Sequence, residues 1–146
     1  MSTPAYFEDF TVGDRMLTPA RTVTEADLVL FDALAGGPFA GPASLAHGLY
    51  VLAISGGLMF LAGDRGIPRS TIALWGLETV RFSGSPRTGD TLRVEAEVRQ
   101  TTQVDATRGL IAMSNTTKNQ RGEEILTYTS KILAGRRPAS AGSRVG

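Results

Sequence analysis

The feature that most constrains the fold of this chain is a stretch, residues 44–61, that is apolar on every side of a helix. Gly63 follows two residues later and is a residue type that commonly ends helices. A helix without a polar face must be buried in protein or in lipid, and about 17 residues interrupted by His47, Ser55 and two glycines are marginal for a bilayer. We therefore predict a central helix that is enclosed by other parts of the protein.

After this stretch the apolar period changes from 3.6 to 2, which predicts strands. Four are expected, at about residues 70–82, 91–101, 108–118 and 124–134. The second strand is the clearest, because its alternate positions are apolar and the positions between them are charged: Leu92, Val94, Ala96 and Val98. Such alternation is typical of an antiparallel sheet that is covered on one face. The turn-rich segments 83–90 and 119–122 join neighbouring strands, and a further strand around 15–23 is expected at an edge.

A shorter helix is predicted over residues 25–35. Thr24 is a suitable N-cap, acids occupy the first turn, and Gly36 is a suitable residue to end the helix. A long buried helix followed by antiparallel strands indicates the α+β class, with a curved antiparallel sheet wrapped around a central helix. We predict a single domain over residues 1–134 and a disordered tail over residues 135–146.

Composition excludes several functions. The 146 residues carry a formal net charge of +1 with scattered basic residues, so neither nucleic acid nor membrane is an expected partner. The chain has no cysteine, which excludes disulfides, thiolate zinc sites and thiol nucleophiles. The N-terminal segment lacks the basic and apolar regions of a signal peptide, so we expect a cytoplasmic protein.

Four short motifs occur in a fixed order along the chain: residues 6–14 (YFEDFTVGD), 21–27 (RTVTEAD), 46–49 (AHGL) and 89–92 (GDTL). Together they resemble the MaoC-like dehydratases, a hotdog-fold family that includes the (R)-specific enoyl-CoA hydratases. The resemblance implies paired hotdog units, as a homodimer or as a heterodimer with another hotdog chain. It also implies an acyl-CoA or acyl-carrier thioester as substrate, reversible hydration of a 2-enoyl thioester as the reaction, and no metal or organic cofactor.

The segment that carries the catalytic pair in the family departs from the family pattern here. The family places an Asp and a His about five residues apart, directly after the first helix. In this chain the corresponding segment reads GGPFAGP over residues 36–42, and Gly37 stands where the aspartate is expected. The acid–base pair therefore cannot be assigned to any residue of this chain by resemblance.

The start of the central helix is the candidate site, since free N–H groups and the positive end of the helix dipole stabilise negative charge there. By resemblance, the N–H of Gly48 polarises the thioester carbonyl. A serine that some relatives place eight residues later corresponds to Gly56, with Ser55 beside it. We thus predict Gly48, Ser55 and Gly56 as substrate-binding residues and His47 as a catalytic residue, with helix capping as the alternative for His47.

Three other residues carry open alternatives. Gly57, like Gly56, either permits close packing or borders a tunnel for an acyl chain, together with Met59 and Phe60. Glu78 follows the apolar positions of its predicted strand, so it is either an inward, functional carboxylate or an edge residue. Asp32, at the end of the first helix, is expected to be solvated.

The missing segment has three explanations: an inactive family member that serves beside a competent partner chain, an active enzyme with a rearranged set of groups, or a segment absent from this sequence alone. A thioesterase is a further hypothesis. It is disfavoured because the predicted central helix has no carboxylate between Leu45 and Leu61.

Overall fold

The computed structural model describes residues 5–36, 47–62 and 67–139. A short 3-10 helix spans Phe7–Asp9, and the two α-helices are α1 (Glu25–Ala35) and α2 (Gly48–Phe60). The strands are β1 (Arg15–Leu17), β2 (Arg21–Thr22), β3 (Thr71–Phe82), β4 (Thr91–Gln103), β5 (Arg108–Lys118) and β6 (Glu124–Gly135). The predicted beginning of the central helix at residues 44–46, its end at Gly63 and the position of Gly37 lie outside the described residues.

The strands form one antiparallel sheet in the order β1-β4-β5-β6-β3, with β2 also paired to β4. The long strands follow their neighbours in sequence except for β3, which returns to the far edge beside β6. This confirms the predicted α+β fold, a curved antiparallel sheet with a central helix. The predicted edge strand at 15–23 is present as two short pieces, β1 and β2, on either side of Pro19.

The core lies between α2 and the concave side of the sheet. The alternating apolar residues of β4 are all buried there, as the sequence pattern predicts: Leu92, Val94, Ala96 and Val98. One side of α2 packs onto them through Tyr50, Val51, Ser55, Leu58 and Met59. Within the described residues, no helix has the length and apolarity that a membrane crossing requires.

The other side of α2 is exposed, which corrects the prediction that the chain itself encloses the helix. Leu49 is 56% exposed and Phe60 is 70% exposed. The sheet covers only one face of the rod, so an apolar face of α2 remains on the surface of the single chain.

Local signals set the bounds of α1 as predicted. The Thr24 hydroxyl accepts a hydrogen bond from the Asp27 N–H (3.1 Å), and the Asp27 carboxylate accepts one from the Thr24 N–H (3.2 Å). This reciprocal capping box satisfies two N–H groups that the first turn leaves without partners. Gly36 ends the helix with φ of +86°, a left-handed conformation that glycine adopts without steric cost.

β3 is the irregular strand of the sheet. Its pairing with β6 shifts register at three places, the last between Glu78 and Arg81, where Thr79 has φ of +52°. A β-branched residue in this conformation is rare and marks a bulge with local strain. Most of β3 is exposed, since it has a neighbouring strand on only one side.

The chain ends meet beside the 3-10 helix. Arg136 forms an ion pair with Glu8 (3.1 Å), and the Arg137 guanidinium contacts both the Asp9 carboxylate and the Tyr6 ring. β6 reaches Gly135, so the first residues of the predicted tail are held against the domain. Residues 140–146 lie outside the described part of the chain.

Candidate functional site

The candidate site begins at the first turn of α2. His47 is the N-cap residue: its backbone is extended, and its ring Nδ1 accepts a hydrogen bond from the Leu49 N–H (3.2 Å). Because Nδ1 is the acceptor, the neutral ring carries its proton on Nε2. In this arrangement the ring can donate a proton from Nε2, but it cannot accept one at Nδ1 without giving up the cap.

Gly48 is the first residue of the helix and approaches the end of β3 closely. Within the described residues its N–H has no hydrogen-bond acceptor, as is usual for the first turn of a helix. A Cβ at this position would lie 3.2 Å from the ring of Phe82. Glycine therefore allows the aromatic ring to sit beside the amide that the sequence identifies as the group for the thioester carbonyl.

An aromatic and ionic cluster connects α1 to this helix start. The Phe31 ring lies 5.7 Å from the His47 ring and 5.8 Å from the Tyr50 ring. The Tyr50 hydroxyl donates to the Asp27 carboxylate (3.0 Å), which also pairs with Arg21 (2.8 Å). Burial and the adjacent carboxylate raise the pKa of Tyr50 to about 12, so this hydroxyl stays protonated as a donor.

Burial raises the pKa of the Asp27 carboxyl, but the hydrogen bonds from Thr24 and Tyr50 outweigh it, and the net shift is downwards. The carboxylate is therefore ionised at neutral pH and fixes one end of the cluster. It serves the packing of α1 against α2 rather than proton transfer.

A cavity of about 360 Å³ runs along α2, between the helix and the strands β3 and β6. Its walls are almost entirely apolar, and its helix side includes Leu52, Gly56, Gly57 and Phe60. Leu74 and Leu77 of β3 form the opposite wall. Leu52 is one helical turn beyond Gly48, so the cavity starts close to the free amide at the helix start.

The predicted substrate-binding residues take different places. Gly48 stands at the helix start, and Gly56 lines the cavity with nothing within 4 Å of the position that a Cβ would occupy. Gly57 has the same open space, so close packing is wrong as an explanation of the glycine pair. Ser55 is fully buried on the sheet side of α2. Its hydroxyl is hydrogen-bonded to Tyr128 (2.7 Å) and accepts from Thr117 (3.0 Å), and it does not line the cavity.

The carboxylate candidate Glu78 is an edge residue. Its carboxylate pairs with Lys131 (2.8 Å), and its side chain is 56% exposed. Among the described residues no group of three or more His, Asp or Glu side chains stands close enough to hold a metal ion.

Several residues of the site were not identified from the sequence. Tyr128 and Ser130 form part of the cavity wall, and Phe82 covers Gly48. The alternation of β6 places Tyr128 and Ser130 on its inward face, so their burial was accessible from the sequence. That β6 faces α2 beside β3 depends on the order of strands in the sheet, for which the sequence contains no local signal.

Comparisons with known proteins agree with this architecture. Residues 33–120 match the family model of the MaoC like domain. Protein MaoC from Klebsiella aerogenes is 36% identical over 109 residues, which cover 66% of this chain and 31% of that protein. This chain thus spans about a third of the length of that relative.

Two solved structures superpose over nearly the whole chain. A monoamine oxidase regulatory protein from Archaeoglobus fulgidus has a TM-score of 0.82 at 30% identity, covering 93% of this chain and 97% of its own. A MaoC-like dehydratase from Rhodospirillum rubrum has a TM-score of 0.71 at 28% identity, with coverages of 92% and 99%.

A more distant structure shows the same fold twice in one chain. A Mycobacterium tuberculosis protein with a double hotdog fold has a TM-score of 0.76 at 21% identity. This chain covers 45% of it, while the match covers 92% of this chain. The fold described above is therefore one hotdog unit.

Proposed function

This chain belongs to the family of the MaoC like domain, and from that membership we propose that it binds 2-enoyl and 3-hydroxyacyl thioesters and takes part in their reversible hydration. The thioester is carried on coenzyme A or an acyl carrier protein, and the reaction needs no metal or organic cofactor. The observation that carries this proposal is the Gly48 N–H at the start of α2, which opens beside an apolar cavity. The absence of cysteine is compatible with action in the cytoplasm.

The chemistry explains why this position suits a thioester. Adding water across a 2-enoyl thioester places negative charge on the carbonyl oxygen as the enolate forms. An N–H donor fixed at a helix start stabilises that charge without reorganising during the reaction. A base must also take a proton from water while an acid protonates the α-carbon. Gly48 supplies only the first of these requirements.

A second candidate function is a non-catalytic subunit that binds the thioester beside a competent partner chain. The sequence favours it, because residues 33–48 contain no carboxylate and His47 is their only imidazole. As the cap of α2, His47 offers a donor at Nε2 but no base at Nδ1. A partner that contributes the base would complete the site.

The exposed apolar surface supports pairing with a second hotdog unit. We define the pairing face as the exposed apolar residues of β3 and α2: Leu49, Phe60, Leu61, Ile72, Leu74, Trp75, Leu77, Val80 and Phe82. They are contiguous with the free edge of the sheet. Contiguous apolar area of this kind, along an edge strand with unpaired backbone groups, is typical of a protein interface. We propose that a second copy, or another hotdog chain, covers this face.

The decisive experiment measures hydration of crotonyl-CoA by the purified chain, alone and after mixing with a hotdog protein encoded beside it. Binding of butyryl-CoA, which cannot be hydrated, is measured in parallel by calorimetry. Binding with turnover by the lone chain establishes the hydratase. Binding with turnover only in the mixture establishes the partner-dependent subunit. Failure to bind butyryl-CoA in either sample would refute the proposal as a whole.

The predicted catalytic role of His47 is tested with two matched variants. His47→Asn retains a side chain that caps helices well, whereas His47→Ala removes the cap and should lower stability by about 0.5–2 kcal/mol. Loss of turnover in both variants, with butyryl-CoA binding intact in His47→Asn, would assign the imidazole a chemical role. Normal turnover in His47→Asn would leave His47 as the cap alone.

A further inference from the structure

We infer that the cavity along α2 receives a straight acyl chain of medium length, and that Gly56 and Gly57 determine how long that chain can be. The inference rests on the proposed function, because it takes the Gly48 amide as the anchor of the thioester carbonyl. It adds the length and shape of the acyl group and two residues that set them.

The length follows from the geometry of the helix. A rise of ~1.5 Å per residue places Gly56 ~12 Å beyond Gly48, which is close to the extended length of an acyl chain of about ten carbons. The cavity volume of about 360 Å³ sets an upper limit. If a methylene group takes roughly the ~30 Å³ of a water molecule, the cavity holds at most about a dozen of them.

The walls of the cavity select an unsubstituted chain. The hydroxyls in the wall already have partners within the protein. Thr71 donates to the Pro68 carbonyl (2.6 Å), Tyr128 is bonded to Ser55 (2.7 Å), and Ser130 accepts from Asn115 (3.0 Å). A polar substituent on the acyl chain would be buried against apolar carbon without compensation, which costs free energy.

The glycine pair keeps the middle of the cavity open. Both glycines lie on α2 with nothing within 4 Å of a Cβ, although glycine within a helix costs about 1 kcal/mol relative to alanine. Close packing does not account for them. A side chain at Gly56 would project into the space that the outer carbons of a ten-carbon chain require.

The test uses the full chain and a series of saturated CoA thioesters: butyryl-, hexanoyl-, octanoyl-, decanoyl- and hexadecanoyl-CoA. Free decanoate is included as a probe without the thioester. Dissociation constants are measured by calorimetry. Affinity is expected to increase by about two- to fourfold for each added methylene up to about ten carbons. It is expected to gain nothing further at sixteen.

Gly56→Leu is the main variant, because leucine favours a helix and fits the open space. It should weaken decanoyl-CoA binding more than tenfold and leave butyryl-CoA binding unchanged. Gly56→Ala, with a single added methyl group, should shift the preferred length by only one or two carbons. Ala33→Leu on the exposed side of α1 is the matched control and should change neither affinity. Thermal melts verify that each variant is folded.

The outcomes separate this inference from the proposed function. Equal affinity for butyryl- and decanoyl-CoA, or an unchanged length profile in folded Gly56→Leu, overturns the inference while the proposed function stands on butyryl-CoA binding. If no CoA ester binds but decanoate binds the wild type and not Gly56→Leu, the proposed function fails and the acyl cavity stands. If neither the esters nor decanoate bind, both are overturned.

Discussion

At the scale of single residues, Ser55 connects the helix to the sheet through hydrogen bonds. Its hydroxyl joins Thr117 of β5 to Tyr128 of β6 beneath α2, and all three groups are buried. Burial also raises the pKa of Tyr128, so the phenol remains a neutral hydrogen-bonding group. A buried polar group that loses its partner keeps the cost of its desolvation, which makes the central hydroxyl the most sensitive of the three.

We predict that Ser55→Ala lowers the free energy of unfolding by about 1–3 kcal/mol, because it leaves the Thr117 and Tyr128 hydroxyls without this partner. Urea denaturation measures the loss. The double variant Ser55→Ala/Tyr128→Phe should lose less than the sum of the two single variants, since the residues interact directly. Butyryl-CoA binding by folded Ser55→Ala should equal that of the wild type. A large loss of binding would instead return Ser55 to the substrate site.

The two adjacent residues Ser55 and Gly56 show the limit of residue-level prediction. Their identities mark both as unusual in an apolar helix, and the sequence places both near the substrate. Successive residues on a helix differ in direction by about 100°, so only one of them can face the cavity. Which one does so depends on how α2 is rotated against the sheet, and no neighbouring residue of α2 fixes that rotation.

At the scale of secondary-structure elements, the turn before β4 is fixed by one carboxylate. Asp90 is almost fully buried and accepts hydrogen bonds from the Arg87 N–H (2.9 Å) and from the side-chain amide of Gln120 (3.0 Å). It thereby connects the β3–β4 turn to the β5–β6 turn. These two hydrogen bonds outweigh burial and hold the pKa of Asp90 below its usual range.

A depressed pKa makes this turn sensitive to acid. The ionised carboxylate contributes its full stability above the unfolded pKa of about 4 and loses it as the pH falls through the lower folded value. Asp90→Asn should cost about 1–3 kcal/mol at pH 7, because the amide replaces one acceptor with a donor. The difference in unfolding free energy between wild type and variant should shrink below about pH 4. Urea melts at several pH values measure it, and a constant difference down to pH 2 would contradict the prediction.

Elements with local signals were predictable to within a few residues. Thr24 and Gly36 determine the ends of α1, and strict alternation determines β4, because each signal acts through neighbouring backbone and side chains. The irregularity of β3 was not predictable. Its bulge at Thr79 and its position beside β6 arise from pairing across the sheet, which a strand of mixed apolar residues does not encode locally.

At the scale of the whole molecule, the single chain has an apolar surface that a stable monomer would not retain. The exposed side of α2 and the free edge strand β3 both belong to the pairing face defined above. One wall of the cavity, with Phe60, Leu74 and Leu77, is also part of this face. Covering the face would therefore exclude water from the acyl chain as well as from the interface.

We predict that the protein forms dimers in solution and that Ile72→Glu dissociates them. Ile72 is 54% exposed and does not line the cavity, so a charge there should disturb the pairing face without unfolding the chain. Light scattering after gel filtration measures the mass of the particle. Trp75, the only tryptophan, lies on the same face and should shift its emission to longer wavelength when the dimer dissociates.

Val104→Glu is the matched control, since Val104 is 49% exposed at the β4–β5 turn, away from the pairing face. It should leave the mass and the emission unchanged. In the dissociated Ile72→Glu variant, decanoyl-CoA should bind more weakly, because one side of its cavity is open to water, while thermal melts still show a folded chain. A wild-type protein that remains monomeric at high concentration, with Trp75 solvated, would show that this face is not an interface between copies of this chain and would leave a different hotdog chain as its partner.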